Sequence, residues 1–98
     1  MTIFESLQES LDEQIGQCEK EKDNIDKYLS AYNIRALEKQ LDILYGIGSA
    51  VYNLHCRKCI TDEDALMLDA KYLDYQNITN EYLGLKKIEI IDLQGVKK

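Results

Sequence analysis

Apolar residues recur at alternating spacings of three and four over most of this chain, the period of a helix face. The broadest such stripe runs through Ile34, Leu37, Leu41, Leu44, Gly48, Val51 and His55. Tyr45, Ile47, Tyr52 and Leu54 widen it, which predicts a central helix over 33–59, covered on more than one side. A second stripe, Phe4, Leu7, Leu11, Ile15, Cys18, Ile25 and Leu29, predicts a first helix over 2–30. Thr2 and Glu5 form a capping-box pattern at its start. Lys22 interrupts the stripe, where its aliphatic stem can cover neighbours while the ammonium reaches water. Glu5, Glu9, Asp12, Glu13, Glu19 and Glu21 make the opposite face acidic.

The two stripes do not share a phase. Counting in sevens from Phe4 reaches Ile25 and Tyr32, whereas counting back from Leu41 reaches Ile34. A continuous coil keeps its phase, so a turn is expected near 30–33, with Ser30 and Asn33 capping the helix ends. In an antiparallel hairpin with that turn, facing residues sum to about 64, setting Cys18 against Gly46 and Phe4 and Leu7 against the His55–Cys59 end. Gly46 and Gly48 then admit a close neighbour or mark a kink, and the alternative is that the helix breaks there.

Thr61 followed by Asp62, Glu63 and Asp64 predicts a third helix start, with acids complementing the helix dipole. Its seam is Ala65, Leu68, Tyr72, Tyr75, Thr79 and Tyr82, with Leu66 and Leu73 beside it and Gly84 as the C-terminal cap. Residues 85–94 fit a short fourth helix through Leu85, Ile88, Ile91 and Leu93, or an ordered coil. The alternating Ile88 and Ile90 also fit a strand that pairs with a partner. From Gly95 onward the chain should fray. The expected fold is all-α: an antiparallel three-helix bundle, built as a long hairpin plus a third helix, with a C-terminal extension. It forms one domain over 1–94 and a frayed tail over 95–98.

Composition narrows the function classes. The absence of proline among 98 residues suits long helices. A net charge of −6 argues against nucleic acid and anionic membrane surfaces as partners. The charge is unevenly placed: residues 1–33 hold eight acids and three bases, 34–60 two and four, 61–84 six and one, and 85–98 two and four. The opening MTIFESLQES lacks the pattern of a signal peptide, and no apolar run is long enough to span a bilayer. With an odd cysteine count, these features point to the cytoplasm.

Candidate chemistry is sparse. His55-Cys56-Arg57-Lys58-Cys59 supplies half of a zinc site, and Cys18 is the third thiol of the chain. Cys56, Cys59 and His55 are therefore weak metal candidates, completed across a dimer axis if at all. A redox role is opposed by their place at a helix C-terminus, where the dipole disfavours thiolate. With one histidine and no nucleophile elbow, hydrolytic chemistry has no framework, and no enzyme activity is expected. Gly46-Ile47-Gly48 lacks the third glycine of a dinucleotide fingerprint, and Asp62-x-Asp64 lacks the glycine and glutamate of a calcium loop. No cofactor is expected.

Seven tyrosines say more. Tyr72, Tyr75 and Tyr82 lie along one side of the third helix, in company with Asp69, Asp74 and Glu81. Tyrosine suits half-buried positions and protein interfaces. If Tyr75 and Tyr82 are exposed they mark a partner surface; otherwise they pack on the second helix with hydroxyls at the rim. The leading expectation is a small non-enzymatic protein-binding module of inhibitor, adaptor or chaperone type, of bacterial or viral origin. It forms a homodimer and could block a nucleic-acid-binding protein with its acidic surface. The alternatives are a metal- or redox-sensing regulator using Cys56 and Cys59, and a helical toxin-immunity protein.

Overall fold

A computed structural model describes residues 2–95 as three helices, α1 (Ile3–Lys27), α2 (Ala31–Cys56) and α3 (Asp62–Gly95). The molecule is a rod of 57 × 20 × 15 Å. Among the described residues there is no strand. The expected three-helix, all-α bundle is therefore what forms.

α1 and α3 start at their expected caps, whereas α2 starts at Ala31, two residues before the expected 33, with Ser30 as its cap. Thr2 Oγ1 accepts from the Glu5 amide at 3.1 Å while Glu5 Oε1 accepts from the Thr2 amide at 3.1 Å, a complete capping box. Ser30 Oγ accepts from the Asn33 amide and Thr61 Oγ1 from the Asp64 amide, each at 3.1 Å. Asn33 does more than expected. From the first turn of α2 its side-chain amide donates back to the Tyr28 carbonyl at 2.8 Å and reaches the Asn24 carbonyl at 3.4 Å. One side chain thus satisfies the open Tyr28 carbonyl and adds a second, longer bond to the Asn24 carbonyl, which already accepts from the Tyr28 amide at 2.9 Å.

The α1–α2 turn is centred on Leu29, earlier than the expected 30–33. Facing residues consequently sum to about 58 rather than 64, which sets Cys18 level with Gln40 and Leu41 instead of Gly46. Phe4 and Leu7 fall level with Leu54 and Val51 rather than with the His55–Cys59 end.

The core is one column. Leu11, Cys18 and Ile25 come from α1, and Ile34, Leu37, Leu41, Leu44 and Val51 from α2; Ala65, Leu68 and Leu83 of α3 close it. In α2 the seam position between Leu44 and Val51 is Gly48, and the Tyr72 ring lies over it, so close that an added Cβ would meet ring atoms at 2.5 Å. Gly46 has open space instead. Neither glycine breaks α2, because one helix with several packed leucines tolerates the roughly 1 kcal/mol each costs relative to alanine.

Three expectations for the C-terminal region are corrected. Gly84 does not cap α3, and 85–94 is neither a separate helix nor a strand: α3 continues without interruption to Gly95. Ile90 keeps the helical seam and packs against the core, Lys86 pairs with Glu89 at 3.1 Å one turn on, and Lys87 pairs with Glu38 of α2 at 2.7 Å. These anchors outweigh one helical glycine. Gly95, expected to begin the fraying tail, belongs to the last turn of α3. Residues 96–98 lie outside the described residues.

Candidate interaction face

The expected tyrosine surface is turned inward. Tyr72, Tyr75 and Tyr82 are half-buried against the core. They reach α1 as well as α2, because the α3 seam lies in the groove between those helices. Tyr75 Oη donates to Glu19 Oε2 at 2.5 Å, and Tyr82 Oη lies 2.6 Å from Asp26 Oδ1 and 3.0 Å from the Lys22 carbonyl oxygen. Lys22, the interruption in the α1 stripe, sits between them. Its ammonium is 4.6 Å from the Tyr75 ring centre and 5.5 Å from that of Tyr82, and it pairs with Glu19 at 3.1 Å. The stem is covered and the charge is held by ring faces and a carboxylate, a cation–π arrangement.

This network sets the titration of its members. Burial, and then donation to Glu19, push the Tyr75 phenol well above its ordinary range; burial and the Asp26 carboxylate do the same for Tyr82. The Tyr75 hydroxyl holds the Glu19 carboxyl below the usual carboxylate range. For Tyr72, burial leads an upward shift.

The end of the bundle that carries His55, Cys56 and Cys59 has a different order from the one expected. His55 is not packed into the apolar seam. Its Nε2 lies 2.7 Å from Asp62 Oδ1, across the link to α3, with the ring partly exposed. Cys56 and Cys59 are free and exposed, whereas Cys18 is free and buried, and burial pushes its thiol pKa up. Cys18 stands about four helical turns from Cys56, further than its expected place against Gly46 would set it, because of the shifted turn. Among the described residues no group of three or more His, Cys, Asp or Glu is placed to hold a metal ion.

The α2 terminus is closed by backbone geometry. The Cys59 amide donates to the Leu54 carbonyl at 2.9 Å and the Lys58 amide to the His55 carbonyl at 3.0 Å, a Schellman motif. Lys58 occupies the left-handed position with φ of 60°. No glycine marks that position, so the sequence gives no signal for it.

What the inward tyrosines leave outside is the far side of α3. Leu66, Met67, Leu73, Ile78, Leu85, Ile88 and Ile91 are each half or more exposed. Asp74 and Glu81 share that side and are exposed, while Asp69 is half-buried at its edge. Apolar residues therefore surround α3, which has almost no amphipathic direction over its 34 residues. Helices of that kind normally have cover on both sides. The sequence carries the signal in Leu66, Leu73, Ile88 and Ile91, but it is legible only once α3 is known to run unbroken past Gly84.

Compared with known proteins, the chain matches no family model, no curated protein and no solved structure. No helix among the described residues is long and apolar enough to cross a membrane.

Proposed function

We propose that this chain is a non-enzymatic protein-interaction module whose docking surface is the outer side of α3. The observation that carries the reading is the set of seven large apolar side chains, each half or more exposed, along one side of a single long helix. Monomeric proteins rarely leave a contiguous apolar patch of more than a few hundred Å² in water, and larger ones mark interfaces. The acidic Asp74 and Glu81, set among these residues, supply polar discrimination within the patch. Two of the six residues expected to meet a partner, Asp74 and Glu81, thus lie on the proposed face. Tyr72 supports it from behind by seating α3 on α2, and Tyr75 and Tyr82 by fixing it on α1.

Site-directed photo-cross-linking in cells tests this. A photoreactive residue in place of Leu73 or Ile88 should give discrete protein adducts, and the same residue in place of Glu9, on the outer face of α1, should give far fewer. Equal or absent labelling at the α3 positions overturns the reading.

A further inference from the structure

We infer that the cleft between α2 and α3 beside Leu41 and Leu83 is a binding site for an alkylammonium group, the end of a free aliphatic amine or of a lysine side chain. The cleft lies on the α2 flank of α3, and its chemistry is independent of the docking role of the outer face.

A cavity of about 230 Å³ opens there between the two helices. The buried Leu41 and Leu83 give it an apolar floor, and the half-buried Tyr45 and exposed Asn80 line it from either helix. Sites for drug-sized ligands measure about 300–1,000 Å³, so this one suits a fragment, one charged group on a short chain.

The charges select the sign of that group. Among the described residues Lys87 is the one cation lining the cavity, and Glu38 already pairs with it at 2.7 Å. Asp42, exposed and one helical turn from Glu38, has no ion pair among the described residues. An incoming group therefore meets one unneutralised carboxylate, in a chain whose net charge of −6 adds to the attraction of a cation. A calcium ion takes six to eight oxygen ligands, and magnesium keeps several waters. Much of the wall here is hydrocarbon, which neither ion can use. An alkylammonium uses all of it. Its three N–H donors suit the Asp42 carboxylate and the Asn80 amide oxygen, the Tyr45 ring offers a cation–π contact, and Leu41 and Leu83 cover the methylenes.

Gly84 keeps the mouth of the cavity free of a side chain. An added Cβ there would meet nothing within 4 Å, so packing does not demand the glycine, and a larger residue would take up the space it now lines.

Titrations followed by ¹H–¹⁵N chemical shifts test the site, with diaminobutane and Nα-acetyl-lysine amide as the two sources of the ammonium. Butanediol and magnesium chloride are the controls. The amines should shift the amides of 41–45 and 80–84 with a Kd of about 1 mM, in keeping with so few ligand atoms. The uncharged diol should bind at least tenfold more weakly, and amine affinity should fall severalfold between about 20 and 300 mM NaCl. Asp42→Asn should weaken binding about fivefold, and Gly84→Leu should abolish it with helicity unchanged. Both positions are exposed, so the fold should hold. Should Gly84→Leu disturb the spectrum beyond the cleft, Asn80→Leu replaces it. Shifts with the lysine amide alone assign the site to a protein lysine, shifts with diaminobutane alone assign it to a free amine, and shifts with both support the ammonium site for either. No shift from either amine at about 50 mM, equal shifts from the diol or the magnesium salt, or binding indifferent to Asp42→Asn overturns the inference.

Discussion

The far end of the Tyr72 ring lies over Gly48, so that a methyl group added to the glycine would sit 2.5 Å from the nearest ring carbon. Two residues along the same helix, Gly46 meets nothing within 4 Å. The pair separates helix propensity from packing. Gly46→Ala should raise stability by about 1 kcal/mol, the propensity difference in a helix interior. Gly48→Ala gains the same propensity but forces the ring outward, and overpacking of that kind costs about 1–3 kcal/mol. Its net effect should be a loss of about 1 kcal/mol. Urea midpoints of the two variants check this, and Gly48→Ala with Tyr72→Leu should recover most of the loss.

Lys58 holds a left-handed conformation that costs a residue with a Cβ about 1–2 kcal/mol. Glycine relieves that strain but carries more unfolded-state entropy. Lys58→Gly should accordingly raise stability by about 0.5–1 kcal/mol, with a rise in Tm of a few degrees for a domain of this size. Lys58→Val, β-branched at the same φ, should lower it. Thermal denaturation of the three proteins decides the matter, and equal melting temperatures would refute a strained cap.

Much of the fold follows from rules that act over a few residues. Thr2, Ser30 and Thr61 state their caps locally, and the phase jump before Ile34 announces a turn that Tyr28–Ser30 then makes. Periodicity also names the buried columns of all three helices. What it misses depends on partners distant in the chain. The length of α3 past Gly84 depends on Lys87 reaching Glu38 and Ile90 reaching the core. The side of α3 that holds the tyrosines is part of the stripe in sequence. Whether their rings face in or out depends on α1, which supplies Glu19, Asp26 and the Lys22 ammonium. The candidate face was hidden for the same reason, since a residue beside a seam reads as core until the third dimension shows that nothing lies over it.

The Tyr75–Glu19 hydrogen bond makes stability depend on pH at both extremes. Glu19 has a lowered folded pKa, so the unfolded chain takes up its proton first as pH falls. Its contribution is present above the ordinary glutamate pKa of about 4.3 and is lost as pH drops below it. The tyrosines have raised folded values, so the unfolded chain loses phenolic protons first as pH rises. That contribution is present below about pH 10 and is lost above it. Tyr75→Phe should flatten both limbs of a stability profile from urea unfolding between pH 3 and 11. Tyr82→Phe should flatten the alkaline limb and leave the Glu19 part of the acid limb in place. An acid limb unchanged by Tyr75→Phe would show that the bond does not form in solution.

The turn at Tyr28–Ser30 decides between a hairpin and one long helix, and two side chains carry that decision. Ser30 Oγ stops the α2 amides from remaining open, and Asn33 from within α2 returns to the carbonyls that end α1. An uninterrupted helix would need neither bond, but it would expose Leu11, Cys18 and Ile25, which the hairpin buries against α2. Removing the caps therefore weakens the hairpin without creating a competitor. Ser30→Ala should cost about 1 kcal/mol, the usual worth of an N-cap. Asn33→Ala should cost about 1 kcal/mol for the bonds to the end of α1. Both caps serve the same three-residue turn, so the double variant should lose less than the two single losses combined. Tyr32→Ala, at a neighbouring position 81% exposed, should change stability by less than about 0.5 kcal/mol. Chemical denaturation of the four variants measures all of these. A Tyr32→Ala loss as large as that of Asn33→Ala would mean that the turn is held by packing rather than by its caps.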